Sequence, residues 1–236
     1  MSERAEDLAS RLDDVRARVD RACRDAGRDP DDVALTVVTK FFPASDVRLL
    51  AGLGVREVAE NRHQEAAQKA ADLADLALRW HMIGGLQSNK AAAVAAWAHV
   101  VASVDRLKLV APLDRGAQRA GREVDVLVQV SLDPPGSEHR FGADPSDRAG
   151  LEALVDAVVR ADGLRLGGVM GVAPNVGDPA TAFARLAEVA TAVRSRSAGA
   201  VEISAGMSGD LEAAVAAGAT RVRVGSAVLG PRPSVA

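Results

Sequence analysis

Short apolar runs of strand length alternate with longer amphipathic stretches along nearly the whole of this 236-residue chain. The strand-like runs are 33–40, 56–60, 79–84, 99–104, 124–131, 164–170, 201–204 and 220–225. Helical patterns fill the gaps, at roughly 44–53, 63–77, 88–97, 106–120, 147–161, 179–197 and 208–217. Strands separated by helices form parallel sheets, because each crossover returns the chain to the same end. Eight such units close a (β/α)8 barrel. The competing arrangement is an open doubly wound sheet, but no G-x-G-x-x-G follows the first strand. Leu8, Leu12, Val15, Val19 and Cys23 recur at helical spacing and predict an additional N-terminal helix within 1–28. The chain therefore reads as one α/β domain over 1–236, with the barrel at 33–230. No linker composition interrupts it. The longest irregular stretch, 131–146, follows the fifth strand and is expected to be a mobile loop on the active face.

Bulk properties exclude several functions. The formal net charge is −3, with no basic block, so there is no electrostatic footprint for nucleic acid. Aromatic residues make up 3% and Tyr is absent, which removes a base-stacking platform and any tyrosine acid or base. No window approaches a membrane span, and the charged N-terminal segment lacks the apolar core of a signal peptide. A cytoplasmic monomer is the expectation. Cys23, the single cysteine, fits helix packing.

Function in a parallel barrel gathers where strands end. The first strand, VALTVVTK, ends in Lys40, one of four lysines in a chain whose Lys+Arg total is 29. Lysine, unlike arginine, can form an imine and shifts its pKa readily when desolvated. The competing reading is an ordinary strand-end lysine whose ammonium reaches water. The loops after the last two strands, SAGMSGD (204–210) and VGSAVLG (224–230), carry small residues and hydroxyls at helix starts. Such loops approach and bind anions, and barrels often hold phosphate there. Alternatively, Ser204 or Ser208 is simply a helix cap. Period-two alternation puts Arg221, Arg223 and Gly225 on one face, and Glu202 with Ser204 on one face of the preceding strand. Those polar faces should point into the barrel, with Glu202 paired to Arg221 or Arg223 and Lys40 sharing that interior. A phosphate beside an imine-forming lysine suggests either pyridoxal 5′-phosphate (PLP) or a phosphorylated sugar in a Schiff-base aldolase. His81 in WHMIGGLQSNK reads as structural more readily than catalytic, and Lys90 as solvated or bonded to a neighbouring loop. No metal-ligand spacing or catalytic triad appears.

The stretches VTKFFP, AENRHQE, WHMIGGLQSNK and SAGMSGDLEAAVAAGATRVRVGSAVLG, in this order, resemble the YggS/PROSC family of PLP homeostasis proteins. The resemblance implies a barrel like the PLP domain of alanine racemase, without that enzyme's second domain. It implies that Lys40 holds PLP as a covalent aldimine. It also implies that Ser204 binds phosphate, with Arg223, Gly225 and Ser226 at the second phosphate loop, and that Asn61 and Met170 lie near the ring. The implied role is a carrier or buffer of PLP that releases it to apo PLP-dependent enzymes. The alternative is a PLP enzyme such as a weak amino-acid racemase. The chain departs from the family at Ala59, where relatives usually have Gly, and at Ala205, Ser226 and Leu229, where they often have Met, Thr and Phe. The loop SEHRFG (137–142) stands where many relatives carry a lysine, which leaves no counterpart for that lysine here.

Overall fold

The structure is a computed structural model that describes residues 2–134 and 142–232. Its strands are β1 (Ala34–Val38), β2 (Glu57–Glu60), β3 (Arg79–Met82), β4 (Val100–Val104), β5 (Val124–Val130), β6 (Leu164–Gly171), β7 (Glu202–Ser204) and β8 (Arg221–Val224). They pair in sequence order, all parallel, and β8 closes on β1. The expected (β/α)8 barrel is what the chain forms.

The helices are α1 (Glu3–Asp25), α2 (Ala44–Gly52), α3 (His63–Asp72), α4 (Ser88–Ala95), α5 (Val110–Arg119), α6 (Arg148–Val159), α7 (Pro179–Arg196), α8 (Leu211–Ala216) and α9 (Ser226–Leu229). The apolar outward faces of the strands meet the apolar stripes of these helices in two large clusters. The stripe of α1 buries Leu8, Leu12, Val15, Val19 and Cys23 as the spacing predicts. Each fully buried Leu there contributes roughly 1.5–3 kcal/mol. Ser2 caps α1 by accepting from the Ala5 N–H. Arginines on α1 and just after it fasten this helix to the barrel through backbone carbonyls: Arg4 to Leu229, Arg16 to Leu53, Arg18 to Ser208, and Arg28 to both Val215 and Ala219.

Several expected boundaries shift. The helix expected over 63–77 ends at Asp72, because a turn from Leu73 to Leu76 sends Leu78 back toward β3. That turn, DLADLA, has no Gly or Pro to announce it. The helix expected over 106–120 opens with a 3-10 turn at Leu107–Leu109 and becomes α-helical only at Val110. The first strand stops at Val38, so Lys40 stands in the turn beyond it. Of the loop expected over 131–146, residues 135–141 lie outside the described residues. On its far side Ala143 bridges back to Val130, so that flank is pinned to β5.

The barrel interior is divided. At the N-terminal ends of the strands, charges pair. Arg221 bonds Glu202 at 2.7 Å and Thr36 at 3.0 Å, and reaches Glu57 at 3.5 Å. Asp125 bridges Arg79 and Arg165, and His81 bonds Glu57. Glu202 thus finds Arg221 rather than Arg223, one of the two expected partners. Above this layer, Val100, Ala102, Leu127 and Met170 form a small apolar plug. The plug closes the barrel below its C-terminal mouth.

Candidate functional site

The turn after β1 carries Lys40. The β1–β2 ladder ends with the Thr39 N–H bonded to the Ala59 carbonyl at 2.9 Å. The Phe42 N–H then returns to the Thr39 carbonyl at 3.1 Å. Between them Phe41 has φ 73°, a left-handed conformation that a bulky side chain rarely adopts. Such strain costs about 1–3 kcal/mol and persists only where the surroundings enforce it. Here Phe42 is buried on one side of the turn. On the other, the Thr39 hydroxyl donates to Glu60 at 2.7 Å. Lys69 donates to the same Glu60 oxygen at 2.6 Å and to the Thr39 carbonyl at 3.1 Å. Glu60 is fully buried, and its second carboxylate oxygen has no hydrogen-bond partner. This cluster locks the backbone immediately before Lys40.

Lys40 is half-buried and borders a cavity of about 340 Å³. That volume suits a small-molecule site, for which about 300–1,000 Å³ is usual. The wall includes Val38, Phe41, Ile83, Met207, Ser208, Gly209, Arg223, Gly225, Ser226 and Arg232, and among the described residues it contains no carboxylate. Burial, then the nearby Arg232 charge, hold the Lys40 ammonium below its ordinary pKa, against the opposing pull of Glu60. A neutral, nucleophilic amine is therefore more accessible here than on an exposed lysine.

The anion end is built by the loops after β7 and β8. The Ser226 and Ser208 hydroxyls lie 3.3 Å apart, one from each loop. Gly206, at φ 90°, turns the first loop, and its carbonyl accepts from the Arg223 N–H at 2.9 Å. A Cβ on Gly225 would sit 3.1 Å from the Val38 carbonyl, so glycine there lets the second loop pack closely against β1. The α1 arginines grip both loops from behind, Arg18 at Ser208 and Arg4 at Leu229.

Arg223 is fully buried, yet it bonds neutral partners, the Ser204 hydroxyl at 2.7 Å and the Gly171 carbonyl at 2.8 Å. Burial pushes its pKa down to about 10, so it remains a cation at neutral pH. Among the described residues, neither Arg223 nor Lys40 forms an ion pair with a carboxylate. Buried cations without acids favour an incoming anion.

Of the site residues read from sequence, Lys40, Arg223, Gly225 and Ser226 border the cavity together. Asn61, Met170 and Ser204 do not border it. Met170 belongs to the apolar plug, and Ser204 stands behind Arg223 as its acceptor. Asn61 follows β2 and lies beside Gly84, where a Cβ would meet the Asn61 carbonyl at 2.1 Å. The Asn61 Oδ1 is buried without a hydrogen-bond partner. His81 is buried against Glu57 in the paired layer, as its structural reading expects. Sequence reasoning passed over Phe41, Glu60, Lys69 and Arg232. Lysine scarcity pointed equally at Lys69, but only the helix geometry of α3 brings it to Glu60. A larger cleft of about 460 Å³, lined by Asp105, Arg106, Lys108, Asp144 and Asp147, mixes acids with bases and lies apart from Lys40.

The family described as alanine racemase, N-terminal domain, matches residues 11–233. The "pyridoxal phosphate homeostasis protein" of Mycobacterium tuberculosis is 42% identical over 98% of this chain and 95% of its own length. That of Escherichia coli is 34% identical over 96% of this chain and 97% of its own length. Among solved structures, PipY of Synechococcus elongatus with PLP bound superposes with a TM-score of 0.81 at 34% identity, covering 94% of this chain and 100% of that one. An alanine racemase of Clostridium difficile gives 0.74 at 14% identity, covering 97% of this chain but 58% of that one, a likeness of fold alone. Sequence, barrel and cavity agree: the chain belongs to the alanine racemase N-terminal-domain family, in the branch of the pyridoxal phosphate homeostasis proteins.

Proposed function

We propose that this protein binds PLP, holds it as a Schiff base on Lys40, and serves as a monomeric cytoplasmic carrier that releases it to apo PLP-dependent enzymes. One observation carries the reading. Among the described residues, the titratable groups in the cavity wall are Lys40, Arg223 and Arg232, with no carboxylate or histidine among them. An aldehyde and a phosphate on one small molecule match that wall. The residues fit the group on independent grounds as well. The opposed Ser208 and Ser226 hydroxyls and the glycine-lined loops suit a phosphate. The names of the relatives and the PLP bound in PipY support the same ligand.

PLP supplies an aldehyde for imine formation and a ring that withdraws electrons. Each residue then has a task. Lys40 offers the amine. Ser226, Gly225 and Ser208 anchor the phosphate. Arg223 adds a fixed positive charge beneath them, with Ser204 and the Gly171 carbonyl holding its guanidinium in place. Glu60, Lys69 and Thr39 keep the Lys40 turn from relaxing. Racemisation requires acid–base groups on both faces of the substrate Cα. Apart from Lys40, the described residues of this wall offer only arginines as titratable groups, and these stay protonated near neutral pH. Holding and releasing the cofactor is the chemistry these residues support.

The test is a PLP titration of the wild-type and Lys40→Ala proteins, followed by mixing the loaded protein with an apo PLP enzyme. The carrier reading expects an imine absorbance band that Lys40→Ala abolishes, and reactivation of the apo-enzyme. Unchanged affinity and spectrum in Lys40→Ala would refute it. Lys40-dependent turnover of amino acids would make the protein an enzyme instead.

A further inference from the structure

The mouth of the Lys40 cavity holds a cation that phosphate binding does not account for. Phe41, held in its left-handed turn, presents a ring to three positive groups. The Arg232 guanidinium lies 4.7 Å from the ring centroid, the Lys40 Nζ 5.8 Å and the Arg62 guanidinium 5.9 Å. A cation over an aromatic face is attracted by the ring quadrupole and kept in place. Arg62 has an acid of its own, Glu65 at 3.1 Å. Arg232 has none among the described residues, yet it borders the cavity and faces the same ring as Lys40. The charge of Arg232 also reaches Lys40. Thus an exposed, aromatic-anchored guanidinium stands over the same ring as the Lys40 amine, and among the described residues the cavity wall holds no carboxylate to compete for it.

We propose that Arg232, backed by Phe41, is a subsite for the α-carboxylate of an amino acid, so that the amines admitted to the bound cofactor are amino acids rather than simple amines. The assignment rests on the PLP reading of the cavity. Its chemistry is that of a planar fork of N–H donors, which matches a carboxylate in two-point contact. In an α-amino acid the carboxylate carbon is two bonds from the amine nitrogen. An amine brought to the Lys40 position therefore carries its carboxylate toward the neighbouring cation. A simple amine has nothing to offer Arg232. The strained Phe41 backbone acquires a role here: it turns the ring to the mouth while Phe42 goes into the core.

The experiment uses stable conjugates in which the cofactor–amine bond has been reduced, so no exchange with Lys40 is needed. N-(5′-phosphopyridoxyl)-L-alanine and N-(5′-phosphopyridoxyl)-ethylamine differ by one carboxylate. Their affinities for the apo full-length wild type, Arg232→Ala and Arg232→Lys proteins are measured by isothermal titration calorimetry. The wild type is expected to prefer the alanine conjugate by about tenfold, the effect of one charge-assisted contact at an open mouth. Arg232→Ala should erase that preference and leave the ethylamine conjugate unchanged, and Arg232→Lys should keep part of it. Equal affinities in the wild type would overturn the assignment. So would an Arg232→Ala protein that loses both conjugates alike, because Arg232 would then be holding phosphate. Wild type that binds neither conjugate would remove the PLP reading itself.

Discussion

The floor of the barrel and the wall of the Lys40 cavity treat charge in opposite ways. At the N-terminal end, Arg221 has Glu202 and Glu57, Asp125 has Arg79 and Arg165, and His81 has Glu57. Around the cavity, Lys40 and Arg232 border a wall with no acid among the described residues, where the buried Arg223 bonds only neutral oxygens. Arg221 and Arg223 are neighbours on one face of β8. Paired charge closes and stiffens a barrel floor. Unpaired charge of one sign is a vacancy for a ligand of the other. The contrast separates structure from function more sharply than residue type does.

Breaking the floor should give the largest effect on stability. Glu202→Ala leaves Arg221, which is nearly buried, without its main acid partner. We expect a loss of about 3 kcal/mol in urea unfolding, with phosphate-ligand affinity per folded molecule little changed. Arg223→Met is the opposite case. Removing a buried cation that lacks an acid should leave the urea midpoint unchanged or higher. PLP affinity should nevertheless fall by about ten- to a hundredfold. If Arg223→Met unfolds as readily as Glu202→Ala, the distinction between the floor and the cavity wall collapses.

Two pH effects sharpen the same contrast. Burial and Arg232 lower the Lys40 pKa, so its neutral amine appears at lower pH than in an ordinary lysine of pKa 10.5. The rate of imine formation should rise with pH and reach its midpoint below that value. Arg232→Ala should move the midpoint upward, as measured by stopped-flow absorbance. The smaller effect lies on the floor side. His99 accepts the Trp80 N–H at 3.1 Å, and burial lowers its pKa from 6.5 to about 4. Its folded form stays neutral while an unfolded His99 takes up a proton, so stability should decline as pH falls from 6.5 toward about 4. His99→Asn, which retains an acceptor for Trp80, should flatten that decline in urea unfolding curves.

The barrel was legible because period-two apolar runs and helical stripes survive in the sequence, and closure follows from their number. The Glu202–Arg221 pair was legible for the same reason, since alternation assigns faces. The anion loops after β7 and β8 announced themselves through small residues and hydroxyls. What lay hidden depends on contacts between distant segments or on backbone shape. The Glu60–Lys69 bond needs α3 folded over the end of β2. Arg232 meets Phe41 only after the whole barrel closes. Phe41's left-handed φ has no signature, since residues that favour that region are glycine and asparagine. The end of β1 before Lys40 was missed because Thr39 and Lys40 continue the strand's alternation. The names of the relatives, rather than any spacing, separate PLP from the sugar phosphate that the residues alone left open.

The most direct test is borohydride reduction of the PLP-treated protein, with absorbance recorded before and after, followed by peptide mapping of the four lysines. The account expects an imine band that reduction removes, and a phosphopyridoxyl group on Lys40, not on Lys69, Lys90 or Lys108. A label spread over the exposed lysines, or no band at all, would contradict it and leave Lys40 as an ordinary lysine in the turn after β1.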